Sequence, residues 1–311
     1  MKIGVSLRSS YPVADGREGA RFMVERAAAA AAAGLDSLFV GDHHATGDVA
    51  YYQNSAILGR LLAEWGDRPA GALYLLPAWN PVLVAEQVGT LATLARGPFV
   101  LQCAVGGGDQ MAAMGAPVTG RGALFERNLS VIRRLLAGEE ADGVRIAPVT
   151  PSPLEVWLGG HAASAIDRAA RLGDGWIAAP WATDEQAAEL AAGYLEACEV
   201  HGRPPGTVVL RRAVHVGADD ADARRVAGPV LSGGYRGMDP SATVVGGPEE
   251  VAERLTHYAA MGYDHILIRH LAVGQSDVLS SFARLAWVRQ LVEPVLPPWT
   301  RRYPATGEVD R

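Results

Sequence analysis

Three side chains that can all move protons stand together at Asp42-His43-His44, directly after the apolar run Leu38-Phe39-Val40 and a glycine. A short run of branched and aromatic residues bounded by turn formers predicts a buried strand. Polar groups just past the carboxyl end of such a strand sit where parallel α/β sheets and barrels carry their chemistry. Two further runs end in a comparable way. Phe99 to Ala104 opens into Val105-Gly106-Gly107-Gly108, and Leu154 to Leu158 into Gly159-Gly160-His161. Glycine turns after strands expose backbone N–H groups, and the next helix presents its positive end, so both suit anions. Such glycines also serve plain tight turns; two clusters beside a proton-handling trio favour a ligand. No Lys-Ser/Thr follows Gly108, so this is not a nucleoside-triphosphate P-loop.

Neighbouring residues in an extended segment point to opposite sides, so one of His43 and His44 faces the strand ends and the other packs away. A metal site needs three or four converging ligands, and no second histidine-rich strand end exists, so none is expected. His201, His257 and His265 read as helix-surface or loop residues, His215 lies in a strand, and His270 stands just past the last one. Cys103 and Cys198 lack C-x-x-C spacing and read as buried, inert thiols. Lys2 is the one lysine, which leaves Schiff-base chemistry almost no candidate.

The elements that must position these residues alternate throughout. Predicted strands cover residues 3–7, 38–40, 70–76, 99–104, 154–158, 175–178, 208–216 and 265–268, with helices between them and a closing helix over 278–292. Eight strand–helix pairs in 311 residues predict a single-domain (β/α)8 TIM barrel, an α/β fold, spanning 1–311. An open doubly wound sheet is the competing architecture; it more naturally stops at five or six strands, and the first turn lacks G-x-G-x-x-G. Residues 138–153 and 217–247 read as irregular connections, and the tail from Pro297 as extended. With 49% apolar residues and a formal charge of −6, the chain can bury a core and has no basic balance for nucleic acid. No apolar run is long enough to span a membrane, and the N-terminus lacks a signal-peptide pattern, so a cytoplasmic location is expected.

With these motifs together, the chain resembles the luciferase-like superfamily of flavin- and F420-dependent oxidoreductases, over about Lys2 to Leu291. The resemblance rests on five ordered matches: Gly41-Asp42-His43-His44; Leu76-Pro77-Ala78-Trp79-Asn80-Pro81; Val105 to Asp109 with Met114-Gly115-Ala116-Pro117; Val156-Trp157-Leu158-Gly159-Gly160 with Ala169 to Trp176; and Gly247 to Leu255. It implies coenzyme F420, or alternatively FMN, at the carboxyl rim. His43, with Asp42 and His44, would carry proton transfer. Ala72 and Leu73, at an expected cis peptide, would back the cofactor ring. Val105, Gly106, Gly107 and Gly108, then Gly159, Gly160, His161 and Ala162, would hold its chain and phosphate.

Sugar-phosphate dehydrogenases of the superfamily grip their substrate with lysines, and Lys2 is the only lysine here. Trp79, Tyr51, Tyr52 and Trp181 would line an apolar pocket instead. FMN-using members place an arginine where Val105 stands and hydroxyl residues where Ala162 and Ala165 stand. The resemblance therefore implies an F420-dependent enzyme that transfers a hydride between deazaflavin and a small hydrophobic organic substrate. The alternatives are an FMN-dependent monooxygenase, fed by a separate reductase, and a non-catalytic cofactor-binding protein. A homodimer is expected.

Overall fold

The computed structural model describes residues 1–152 and 154–292. In chain order the strands are β1 (Lys2–Leu7), β2 (Ser10–Tyr11), β3 (Leu38–Val40), β4 (Ala50–Tyr51), β5 (Ala70–Leu75), β6 (Phe99–Ala104), β7 (Glu155–Gly159), β8 (Gly175–Ala178), β9 (Thr207–Val216), β10 (Thr243–Gly246) and β11 (His265–His270). The helices are α1 (Gly16–Ala32), α2 (Asn54–Trp65), α3 (Pro81–Leu94), α4 (Gly108–Ala113), α5 (Arg121–Leu136), α6 (Ala163–Leu172), α7 (Asp184–Val200), α8 (Asp220–Ser232), α9 (Pro248–Ala260) and α10 (Gln275–Leu291). Every strand predicted from the apolar pattern is present. They pair in the order β10-β9-β11-β1-β3-β5-β6-β7-β8, and β9 also pairs with β8, which gives the (β/α)8 TIM barrel. β10 is an addition, running parallel to the end of β9 from Thr243 opposite Ala213 to Gly246 opposite Val216.

Contacts divide the chain into two compact units. The N-terminal unit is Val5–Ala32 with Asp36–Trp157, and the C-terminal unit is Met1–Gly4, Ala33–Leu35 and the chain from Leu158. In the N-terminal unit, Phe39 pairs with Gly71 and Leu73 with Gln102 across β3, β5 and β6. Side chains alternate along a strand, so Phe39, Gly71, Leu73 and Gln102 share one face. The Phe39 ring meets that of Trp157 at 5.2 Å, although β5 and β6 separate their strands, so this is the concave inner face. Tyr74 points the other way and donates its hydroxyl to Gln87 Oε1 of α3 at 3.1 Å. Gly71 has no room to be anything else: a Cβ there would lie 2.0 Å from the Val100 carbonyl oxygen and 2.9 Å from the Phe39 ring.

In the C-terminal unit, β9 and β11 pair with Arg211 opposite Leu267 and Ala213 opposite Arg269. Arg211, Ala213 and Arg269 therefore share a face. Arg212 takes the opposite one. It is fully buried, donates to the Pro180 carbonyl at 3.4 Å, and lies over the Tyr258 ring of α9 at 4.7 Å. The α7 start is fixed by a capping box of Thr183 and Gln186.

Several expectations need correction. Residues 217–247 are not irregular; they hold α8, two short 3-10 turns and β10. The acidic run reads as loop but works as a helix start, because Asp219 accepts the Asp222 N–H at 2.8 Å and Asp220 and Asp222 occupy the first turn. Helix α2 begins only at Asn54, because Ala50 and Tyr51 pair with Tyr11 and Ser10 in an antiparallel ribbon. His265 is no surface residue: it is buried within β11. The connection over 138–152 is open apart from an Ala141–Val144 bridge, and the predicted tail from Pro297 lies outside the described residues. Cys103 and Cys198 are both buried, and burial pushes each thiol up. Among the described residues no helix is long and apolar enough to cross a membrane.

Candidate active site

The trio after β3 separates into two buried groups and one exposed group. Asp42 Oδ2 accepts the Leu75 N–H and the Trp79 Nε1–H, each at 2.8 Å, and so ties the end of β3 to the end of β5. His44 Nε2 lies 3.0 Å from Asp42 Oδ1 but is not aligned for a hydrogen bond. Its ring packs 5.4 Å from Trp79, which meets Tyr74 at the same distance. Asn128 Nδ2 donates to the carbonyls of Leu76 and Trp79 at 2.9 and 3.3 Å, holding the turn that carries the indole. Asp42 and His44 are 6% and 8% exposed, whereas His43 is open. The Gln110 side-chain amide meets His43 Nδ1, Gln53 Nε2 holds the His43 carbonyl at 3.3 Å, and the Tyr51 ring lies 5.8 Å away.

Ala72 and Leu73 differ from expectation. The one cis peptide among the described residues is Ala147–Pro148, so the Ala72–Leu73 bond is trans. β5 keeps an unbroken parallel register with β6, from Ala70 opposite Phe99 to Leu75 opposite Ala104, and a regular ladder leaves no bulge there. Leu73 points inward and Ala72 outward. The Leu73 carbonyl accepts Asn54 Nδ2 at 2.7 Å from a fully buried side chain. Sequence reasoning missed Asn54; a polar residue opening a helix reads as a cap, although its amide reaches the strand.

At the end of β6, Gly106 has φ +77°, a left-handed conformation that favours glycine. Gly107 faces open space, and Gly108 begins α4. Arg121, at the start of α5, donates to the Gly106 carbonyl. This guanidinium was also missed, since Val105 occupies the position the resemblance assigns to arginine. Gln102 is buried on the inner face beside Leu73, and its Nε2 has no hydrogen-bond partner.

The C-terminal unit holds the second glycine turn. The Gly160 N–H donates to the Ile177 carbonyl at 3.2 Å, and the Gly160 carbonyl accepts Trp176 Nε1–H at 2.9 Å. A Cβ on Gly160 would stand 2.5 Å from that of Ala165. Helix α6 follows Ala162 without a side-chain cap, so its first N–H groups have no side-chain acceptor. His161 is exposed and meets Trp181 edge-on at 4.9 Å. His270 is buried, with Nε2 3.1 Å from Ser281 Oγ, a structural contact. Tyr52, expected in a pocket wall, instead donates its hydroxyl to the Gly16 carbonyl.

Comparison with known proteins adds three findings. A family model described as luciferase-like monooxygenase matches residues 1–240. Among solved structures, an F420-dependent secondary alcohol dehydrogenase in complex with an F420-acetone adduct is 16% identical, with a TM-score of 0.74 over 94% of this chain and 99% of that one. The oxygenating constituent of 3,6-diketocamphane monooxygenase from Pseudomonas putida, in complex with FMN, is 15% identical, with a TM-score of 0.76 over 96% and 99%. An uncharacterized protein of Mycobacterium bovis is 30% identical over 112 residues, 33% of this chain; the match spans 38% of that relative's length.

Proposed function

Because the chain belongs to the luciferase-like monooxygenase family, we propose that it is an F420-dependent oxidoreductase of a small organic substrate, with the deazaflavin ring at the strand ends of the N-terminal unit. The residues there fit such a ring. Gln102 offers a buried unpartnered amide, Leu73 an apolar inner surface, and Gly107 an open approach for backbone N–H groups. When bound, the cofactor supplies the two-electron chemistry. His43 gives or takes the accompanying proton at Nε2, while Asp42 and His44 hold the loop that presents it. The observation that favours F420 over FMN is Val105, an apolar side chain directly after β6 where the resemblance places an arginine, so that position offers an FMN phosphate no charged partner. An FMN phosphate, with close to two charges, gains most from side-chain donors; a phosphodiester needs them less.

Arg121 favours the second reading. A guanidinium at the Gly106 carbonyl is a ready partner for the FMN phosphate of a monooxygenase served by a separate reductase. Titrating the cofactor-free chain with F420 and with FMN, followed by absorbance, separates the two. Tighter F420 binding is expected. Tighter FMN binding, with product formation that requires dioxygen, would overturn it. A homodimer belongs to the same proposal and is checked by light scattering.

A further inference from the structure

The C-terminal unit contains a cavity of about 200 Å³ whose wall includes Trp181, Arg211, Tyr235, Arg236 and Arg269 and no carboxylate. Two of these arginines follow from strand register. Arg211 and Ala213 lie on one face of β9, and Arg269 stands opposite Ala213 on β11, so both guanidinium stems enter from the same side. Tyr235 packs against the small apolar cluster of Ala213, Ala227 and Leu271, which fixes one aromatic wall. Trp181 is 41% exposed and forms another.

Arg236 is the unusual member. It has φ 54° in a turn between Gly234 at 74° and Gly237 at 65°, a left-handed conformation that a bulky side chain rarely adopts. Hydrogen bonds from Gly237 N–H to the Gly234 carbonyl at 3.2 Å, and from Met238 N–H to the Tyr235 carbonyl at 3.0 Å, hold the turn closed. Backbone strain kept by its surroundings is characteristic of ligand-holding positions. Among the described residues no carboxylate pairs with Arg236. The turn thus delivers an exposed positive charge to a cavity that already has two others.

We propose that this cavity binds a planar aromatic carboxylate through Arg236, Arg211 and Arg269, with its ring between Trp181 and Tyr235. A guanidinium matches a carboxylate in its own plane, and aromatic walls suit a flat apolar body. A planar body agrees with the small hydrophobic organic molecule that the sequence implied, and the three cations add an anionic group to it. That this anion is the substrate rests on the oxidoreductase reading above; the binding site does not.

The test is calorimetric titration of the full, cofactor-free chain with benzoate, with benzyl alcohol as its neutral counterpart, and with inorganic phosphate. Benzoate is expected to bind at least tenfold more tightly than either, and its affinity to fall as salt rises. Arg236→Gly, which removes the charge and accepts the positive φ, should weaken benzoate at least tenfold without lowering the melting temperature. Equal binding of benzyl alcohol, tighter binding of phosphate, or an unchanged Arg236→Gly variant would overturn the proposal. A chain that binds benzoate but neither F420 nor FMN would sink the proposed function and leave this site standing.

Discussion

His43 and Asp42 are adjacent in sequence and do different work. If the exposed imidazole moves the proton, His43→Ala lowers turnover by ~10²-fold, the usual scale of acid–base assistance, with little change in cofactor affinity. Steady-state kinetics beside a cofactor titration check this; normal turnover with weakened cofactor binding would assign His43 to holding instead. Asp42→Ala has a stability signature. It leaves the buried Leu75 N–H and Trp79 Nε1–H without an acceptor, and each unpaired donor costs about 1–3 kcal/mol. Urea unfolding should therefore show a loss of at least about 2 kcal/mol. Sequence alternation showed that His43 and His44 diverge, but not which one packs inward. That depends on Trp79, 37 positions from Asp42, whose indole fills the space beside His44. Asn54 and Arg121 were illegible for the same reason, since each earns its place through a partner distant in the chain.

At the scale of elements, the barrel strands were legible because each is a short apolar run before a turn, and burial on both faces leaves no other pattern. β2, β4 and β10 were not. The two-residue β2 and β4 have no period to read and exist only through their partners, and β10 lies within the glycine- and proline-marked run that reads as an irregular connection. Gly71 in β5 gives the sharpest test of the packing. Gly71→Ala places a methyl against a backbone oxygen, where no rotamer change relieves it, and should cost at least about 2 kcal/mol on the usual scale of overpacking. Trimming the neighbour, as in Phe39→Leu, should not rescue it, because the closer clash is with the Val100 carbonyl. Recovery of wild-type unfolding in the double variant would show that the strands move apart more readily than the register implies.

For the whole molecule, stability should depend on acid through buried histidine. Burial, with the nearby Lys2 charge, pushes His265 down to about 3, and burial lowers His215 as well. Each is neutral when folded but takes up a proton below its ordinary value of 6.5 once unfolded. Stability is therefore full above that value and falls as pH drops toward 3, by up to about 1.4 kcal/mol per pH unit for His265, and His215 acts in the same direction. Chemical unfolding between pH 7 and pH 4 should show this slope, and His265→Gln should reduce it. Equal slopes would place the acid sensitivity elsewhere. The antiparallel ribbon of Ser10–Tyr11 with Ala50–Tyr51 has a consequence for anyone recombining barrels of this kind. Loops after successive strands are ordinarily exchanged as independent cassettes. Here the first and second are stitched together, and the Tyr52 N–H adds a bond to the Ser9 carbonyl at 3.0 Å. A chimera whose crossover falls between Tyr11 and Ala50 inherits half of the seam from each parent. Grafts that carry both loops from one parent should give folded protein far more often than grafts that split them.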